Sequence, residues 1–176
     1  MVGVLVLAGG FVVVAADDLD GSSHISLLDS SAAPKAGVRI HETVPLAGLE
    51  KQLLDAHNAE RTEAGLETLE TDATLVDLAR QRAQDMVTTD YFSHASPNGD
   101  TVVTLLKREG YEYKIAAENI ARNNRPNDQA VGAAMSGFLD SDSHREKVLN
   151  ERYDHVGVGT VTDNGMNYFV VIFTGD

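Results

Sequence analysis

Two histidines and a glutamate, His94, Glu118 and His144, are the side chains of this chain best suited to chemistry, and each stands in a distinctive short phrase. In order, the phrases are Tyr91-Phe92-Ser93-His94-Ala95-Ser96-Pro97-Asn98-Gly99, Ala117-Glu118-Asn119-Ile120-Ala121 and Ser141-Asp142-Ser143-His144-Arg145, followed by the glycine-spaced His155-Val156-Gly157-Val158-Gly159. Two neutral imidazoles and one carboxylate sharing a hollow make a facial ligand set for zinc or a similar divalent ion, with positions left for water or ligand. The same groups also have a purely structural use. His94 and His144 could both bond Glu118 and pin three loops together, because buried polar groups need partners whatever the function. Ligands so far apart in sequence carry no local signature of the kind that two histidines one helical turn apart would give.

Two local patterns fail on inspection. His144-Arg145-Glu146-Lys147-Val148 begins like a metalloprotease helix, but Val148 occupies the place of the second histidine, so Glu146 reads as a solvated helix charge. The run from Asp140 to Arg145, with Glu151 in twelfth place, echoes a calcium loop, yet Arg145 stands where glycine is needed for the sharp turn. Serine catalysis has no Gly-x-Ser-x-Gly elbow to support it, and Ser143 reads as a cap entering a helix over Arg145 to Leu149.

The elements that must position these residues are legible as periodicities. Pro45 opens a helix with Leu46, Leu49, Leu53 and Ala56 at helical spacing, and Gly65 closes it. Asp72 caps a second helix carrying Leu75, Leu78, Ala79, Ala83 and Met86 on one stripe, running to about Thr88. A short helix over Thr101 to Glu109 ends at Gly110, Ala116 to Ala121 is extended, and Asn127 caps a helix with Val131, Ala134, Met135, Phe138 and Leu139 buried. At the end, Val156, Val158 and Thr160 alternate, Asn164-Gly165 makes a type I' turn, and Tyr168 to Phe173 return antiparallel; Gly157 and Gly159 allow close backbone approach or a bulge. Helices gathered before a small antiparallel sheet give an α+β or three-layer α-β-α arrangement.

The 176 residues suffice for one domain with a sizeable core, and with no cysteine, disulfides, thiolate zinc sites and thiol nucleophiles are excluded. A formal charge of -13, from 27 acidic against 14 basic side chains, argues against a phosphate-backbone partner and hence against nucleic acid. Residues 1–16 are apolar and uncharged up to Asp17-Asp18, with Val14-Ala15-Ala16 as a small-residue cleavage site. They read as a signal peptide or short membrane anchor, although no Lys or Arg precedes the apolar run. Residues 17–45 read as a linker, with a short strand over Val38, Ile40 and Val44; His24 and His41 take no role. The mature protein is therefore expected outside the cytoplasm, secreted or tethered at the membrane's outer face.

Together the ordered phrases resemble the CAP superfamily (cysteine-rich secretory, antigen 5 and pathogenesis-related type 1 proteins) in its short cysteine-free prokaryotic form, over roughly residues 46–176. The resemblance implies the CAP α-β-α sandwich and a cleft in which two histidines and two glutamates converge. Matched by motif, His94, Glu118 and His144 fill three of those places, and the second glutamate falls at Ser141, three residues after Phe138, which stands in place of the usual tryptophan. It further implies a divalent metal, zinc first, on His94, Glu118 and His144, with Glu118 the candidate catalytic group and Ser93, Asn119 and Ser141 around the ligand. His57-Asn58-x-x-Arg61 matches another family phrase, in which Asn58 and Arg61 tie the first helix to neighbouring loops. Family members are linked to sterol and fatty-acid binding, to cell-wall or matrix association, and to proteolysis, so kinship does not select one activity. The expectation is an extracellular binding module for a small-molecule, lipid or cell-surface ligand rather than an enzyme. Its alternatives are a metal-dependent hydrolase, weakened by the missing second carboxylate, and an adhesive surface protein.

Overall fold

The computed structural model describes residues 45, 46 and 48–176, together with the strands β1 (Leu5–Leu7) and β2 (Phe11–Val13), which pair antiparallel. The chain divides into two units, residues 1–40 and 41–176. Apart from β1 and β2, the leader and linker expected over residues 1–44, with the strand around Ile40, lie outside the described residues. Among the described residues no helix is long and apolar enough to cross a membrane.

The second unit runs α1 (Gly48–Glu63), β3 (Glu70–Thr71), α2 (Ala73–Thr88), α3 (Val102–Arg108), β4 (Ile115–Asn123), α4 (Asn127–Asp140), α5 (Asp142–Val148), β5 (His155–Asp163) and β6 (Met166–Gly175). Helix α1 ends in a Schellman turn: Leu66 N–H donates to Arg61 C=O, Gly65 N–H donates to Thr62 C=O, and Gly65 takes φ +74°. Asp72 caps α2 by accepting the Leu75 N–H at 3.0 Å, and Thr101 with Thr104 forms a reciprocal box at the start of α3. Asn164 and Gly165, both at positive φ, join β5 to β6 in register Asp163 to Met166, as a two-residue type I' hairpin requires.

The sheet order is β3-β5-β6-β4. It is mixed rather than purely antiparallel, because the two-residue β3 joins β5 in parallel. Strand alternation divides the core. Val156, Val158, Phe169, Val171 and Phe173 face one helical layer with Leu53 of α1 and Ala134 and Phe138 of α4, whereas Val170 and Ile172 face α2 and α3. On that second side β5 presents Gly157 and Gly159, and α2 lies directly on them: a Cβ at Gly157 would stand 2.0 Å from the Leu75 carbonyl carbon. These two layers on one sheet give the expected α-β-α sandwich. Three boundaries differ from expectation. Helix α1 begins at Gly48 rather than Pro45, α4 has Pro126 at its N-cap with Asn127 already inside, and α5 starts at Asp142 behind Ser141, so Ser143 is not its cap.

His57 and Arg61, one turn apart on α1, are both buried. Asn58 bonds the Leu69 backbone twice, through its amide donor at 3.1 Å and its oxygen at 2.8 Å, and Arg61 binds backbone carbonyls of the loops around α5, so the expected tying role stands. The His57 Nδ1–H donates to Leu53 C=O at 2.8 Å, and its ring packs on Phe138 and Phe173. Burial holds its pKa down at about 4, against 6.5 for a solvated imidazole. Because the folded value is the lower one, the unfolded chain alone takes up a proton between those values. Stability is expected to fall by on the order of 3 kcal/mol as pH drops from 6.5 to 4, and to show no further loss from this group below 4. Urea midpoints across that window should show the decline, and His57→Phe, which keeps the ring packing, should flatten it.

Candidate functional site

Glu118 lies on β4, the outer strand of the sheet, and faces the α2 side in register with Ile172. Its side chain is only 3% exposed and both carboxylate oxygens are engaged. Arg82 Nε donates to Oε1 at 3.1 Å, and His94 Nδ1 donates to Oε2 at 2.7 Å. Arg82, itself buried, also donates to the Tyr91 hydroxyl at 2.6 Å and to the Ser93 and His94 carbonyls at 3.1 Å. The Tyr91 hydroxyl in turn donates to Asp85 at 2.5 Å; burial first and that bond second push its pKa up to about 12. The His94 loop is thus fixed twice, through its backbone by Arg82 and through its ring by Glu118. With Nδ1–H donated to a carboxylate, the neutral form of the ring presents its lone pair on Nε2. The ring's side chain is 52% exposed.

A cleft of about 230 Å³ opens at this edge of the sheet, lined by His94, Glu118, Thr101, Val102 and Lys147. His144 approaches from α5 on the other helical layer. Its ring stands edge-on to Phe138 with centroids 5.8 Å apart, and its carbonyl accepts from the Asn119 side chain at 3.1 Å. Burial holds the His144 pKa below the ordinary 6.5, and the nearby charges of Lys147 and His94 press the same way. Among the described residues nothing hydrogen-bonds the His144 ring. Of the two histidines expected on Glu118, therefore, the structure bonds one.

The His94, Glu118 and His144 facial set is not formed. Among the described residues no group of three or more His, Asp or Glu side chains is placed to hold a metal ion. Each Glu118 oxygen accepts one hydrogen bond, from Arg82 or from His94, so in this structure the carboxylate acts as the orienting partner of His94. Any divalent ion here would rest on fewer than three protein side chains among the described residues, with the remaining positions filled by water or ligand. Burial to 3% exposure and the ion pair with Arg82 weigh against Glu118 as a catalytic base, since little of the carboxylate is open to water and its charge is already stabilised.

The three residues expected around the ligand are not cleft liners. Asn119 alternates to the opposite face of β4, is fully buried, and acts as a strut under His144. Ser141 meets Ser143 at 3.2 Å at the α4 to α5 junction, and exposed Ser93 contributes its carbonyl to Arg82. Glu146 is exposed, as a solvated charge should be. Two residues were not anticipated. Arg82 falls on the apolar stripe between Ala79 and Met86, where a charge needs a buried partner, and that was its legible signal. Lys147 lies three residues after His144, hence on the same face of α5, but nothing in its neighbourhood marked it.

The comparisons agree with this fold. The sequence model of the Cysteine-rich secretory protein family (CAP) matches residues 54–174. The uncharacterized protein YkwD of Bacillus subtilis (strain 168) is 35% identical over 136 residues, 75% of this chain and 51% of that protein. This chain thus spans about half the length of that relative. An extracellular protein containing a SCP domain from Bacillus anthracis str. Ames superposes with a TM-score of 0.65 at 31% identity, covering 76% of this chain and 45% of that one. An outer surface protein of Borrelia burgdorferi shares the fold at 21% identity, with a TM-score of 0.66 over 77% of this chain and 98% of its own. With the family match, the α-β-α sandwich and the absence of cysteine all in agreement, this chain belongs to the cysteine-rich secretory protein (CAP) family, in its cysteine-free form.

Proposed function

We propose that this protein is an extracellular binding module whose ligand site is the cleft beside His94. The observation that carries the reading is the double engagement of Glu118, by Arg82 on one oxygen and His94 on the other. It spends a buried ion pair on orienting one half-exposed imidazole, an arrangement that purely structural histidines do not need. The extracellular placement is supported by the apolar leader and by the extracellular and outer-surface proteins that share this fold. Zinc is the cation to test, with His94 Nε2 and His144 as the candidate ligands, because imidazole nitrogen suits it. A hydrolase draws less support, because Glu118 is buried and paired with Arg82 rather than open to an attacking water. An adhesive role would leave binding to a surface partner intact after the cleft is mutated.

Calorimetry on the wild type is expected to give 1:1 zinc binding that His94→Ala and His144→Ala abolish. Glu118→Gln should weaken it by roughly ten- to a hundredfold, as loss of an orienting partner does. Equal affinity in all four proteins would reject the cleft as the site.

A further inference from the structure

The charge of the cleft runs against a site built for cations alone. Glu118 is the one carboxylate among its lining residues, and Arg82 at 3.1 Å offsets that charge. What remains is the ammonium of Lys147. Among the described residues, four cationic side chains are withdrawn from solvent, Arg61, Arg80, Arg82 and Lys147. Arg61 is satisfied by backbone carbonyls, Arg80 by a two-bond pair with Glu50, and Arg82 by Glu118. Lys147 alone of the four has neither hydrogen bond nor ion pair, on a chain with 27 acidic and 14 basic residues. The Lys147 stem is partly buried at the cleft, and among the described residues its ammonium has no competing partner there. An anion arriving in the cleft would find that charge uncommitted.

We propose that the cleft binds the oxyanion of a small ligand, a carboxylate or a phosphate group, on the Lys147 ammonium. The Thr101 hydroxyl on the α3 side supplies a second donor, and Val102 beside it a short apolar wall for the ligand's stem. The volume of about 230 Å³ admits an anionic head and a few carbons. This assignment rests on the cleft being the ligand site and does not require zinc.

The test uses the full chain stripped of metal on a chelating resin, titrated by NMR with sodium acetate, and separately with inorganic phosphate, at constant ionic strength against sodium chloride. Saturable shifts at Lys147 and Thr101 are expected with one or both oxyanions and not with chloride. Lys147→Met, which keeps the stem and removes the charge, should weaken binding by at least about tenfold. Lys107→Met, on the exposed side of α3, should leave it unchanged. Saturation by acetate alone assigns a carboxylate ligand, and by phosphate alone a phosphate ligand. Shifts that stay linear and match those of chloride, or that persist at the same affinity in Lys147→Met, overturn the proposal. Because no metal is present, this outcome is independent of the zinc calorimetry, and either reading can fail alone.

Discussion

Replacing Arg61 by methionine is expected to cost on the order of 4 kcal/mol, a large share of the ~5–15 kcal/mol that stabilises a domain. Arg61 is 1% exposed and has no carboxylate partner. Its guanidinium instead donates to four carbonyls, those of Glu67 at 2.8 Å, Val148 at 3.0 Å, Asn150 at 2.9 Å and Tyr153 at 3.0 Å. One side chain from α1 thereby closes the end of α5 and the loop leading into β5. Methionine fills much of the same volume but leaves those carbonyls without donors. Each one that cannot reach water costs ~1–3 kcal/mol, so the sum exceeds what apolar packing returns. Arg61→Lys keeps the charge but lacks the planar fork needed to reach all four, and should recover about half the loss. Urea unfolding reports this as a lower midpoint at unchanged slope. A shift of under about 1 kcal/mol for the methionine variant would show that the loop finds other donors.

That network also marks how far the sequence could be read. Helix positions followed from apolar stripes, and the turns from Gly65 and Asn164-Gly165, because these signals are local and repeat at a fixed period. Strand β3 escaped because Glu70 and Thr71 offer too few residues to show any period, and what makes them a strand is the distant edge of β5. The meeting of His94 with Glu118 came from kinship, since nothing in a 24-residue separation predicts a 2.7 Å contact. Asn119 was misplaced for an avoidable reason. In a strand, neighbours point to opposite faces, so if Glu118 faces the cleft, Asn119 must turn away. Arg82 was legible only as a charge on an apolar stripe, and its partner 36 residues away was not.

Packing and site are coupled through α2, and Gly157→Ala is expected to break both together. A Cβ at Gly157 would lie 2.0 Å from the Leu75 carbonyl carbon and 2.5 Å from the Val76 nitrogen, and one at Gly159 would lie 2.2 Å from the Ala79 carbonyl carbon. Those neighbours are helix backbone, which cannot rotate aside as a side chain would. Ordinary contact can be restored only if α2 backs off β5 by more than about 1 Å, opening gaps along Leu75, Leu78 and Ala79, all buried in the same core. The cost should reach the top of the ~1–3 kcal/mol range for overpacking or exceed it. Gly132→Ala in α4, where a Cβ meets nothing within 4 Å, is expected instead to gain up to about 1 kcal/mol from helix propensity. The second effect of Gly157→Ala falls on Arg82, which rides three residues beyond Ala79 on the displaced helix. Its 3.1 Å bond to Glu118 lengthens, Glu118 loses its fixed position, and His94 is no longer held. Below the variant's melting temperature, with circular dichroism reporting a folded chain, ligand or zinc affinity at the cleft should still fall at least about tenfold, because a misplacement near 1 Å is enough to undo a preorganised site. Wild-type affinity in a folded Gly157→Ala protein would mean that the His94 cleft is held independently of α2, against the Arg82 geometry.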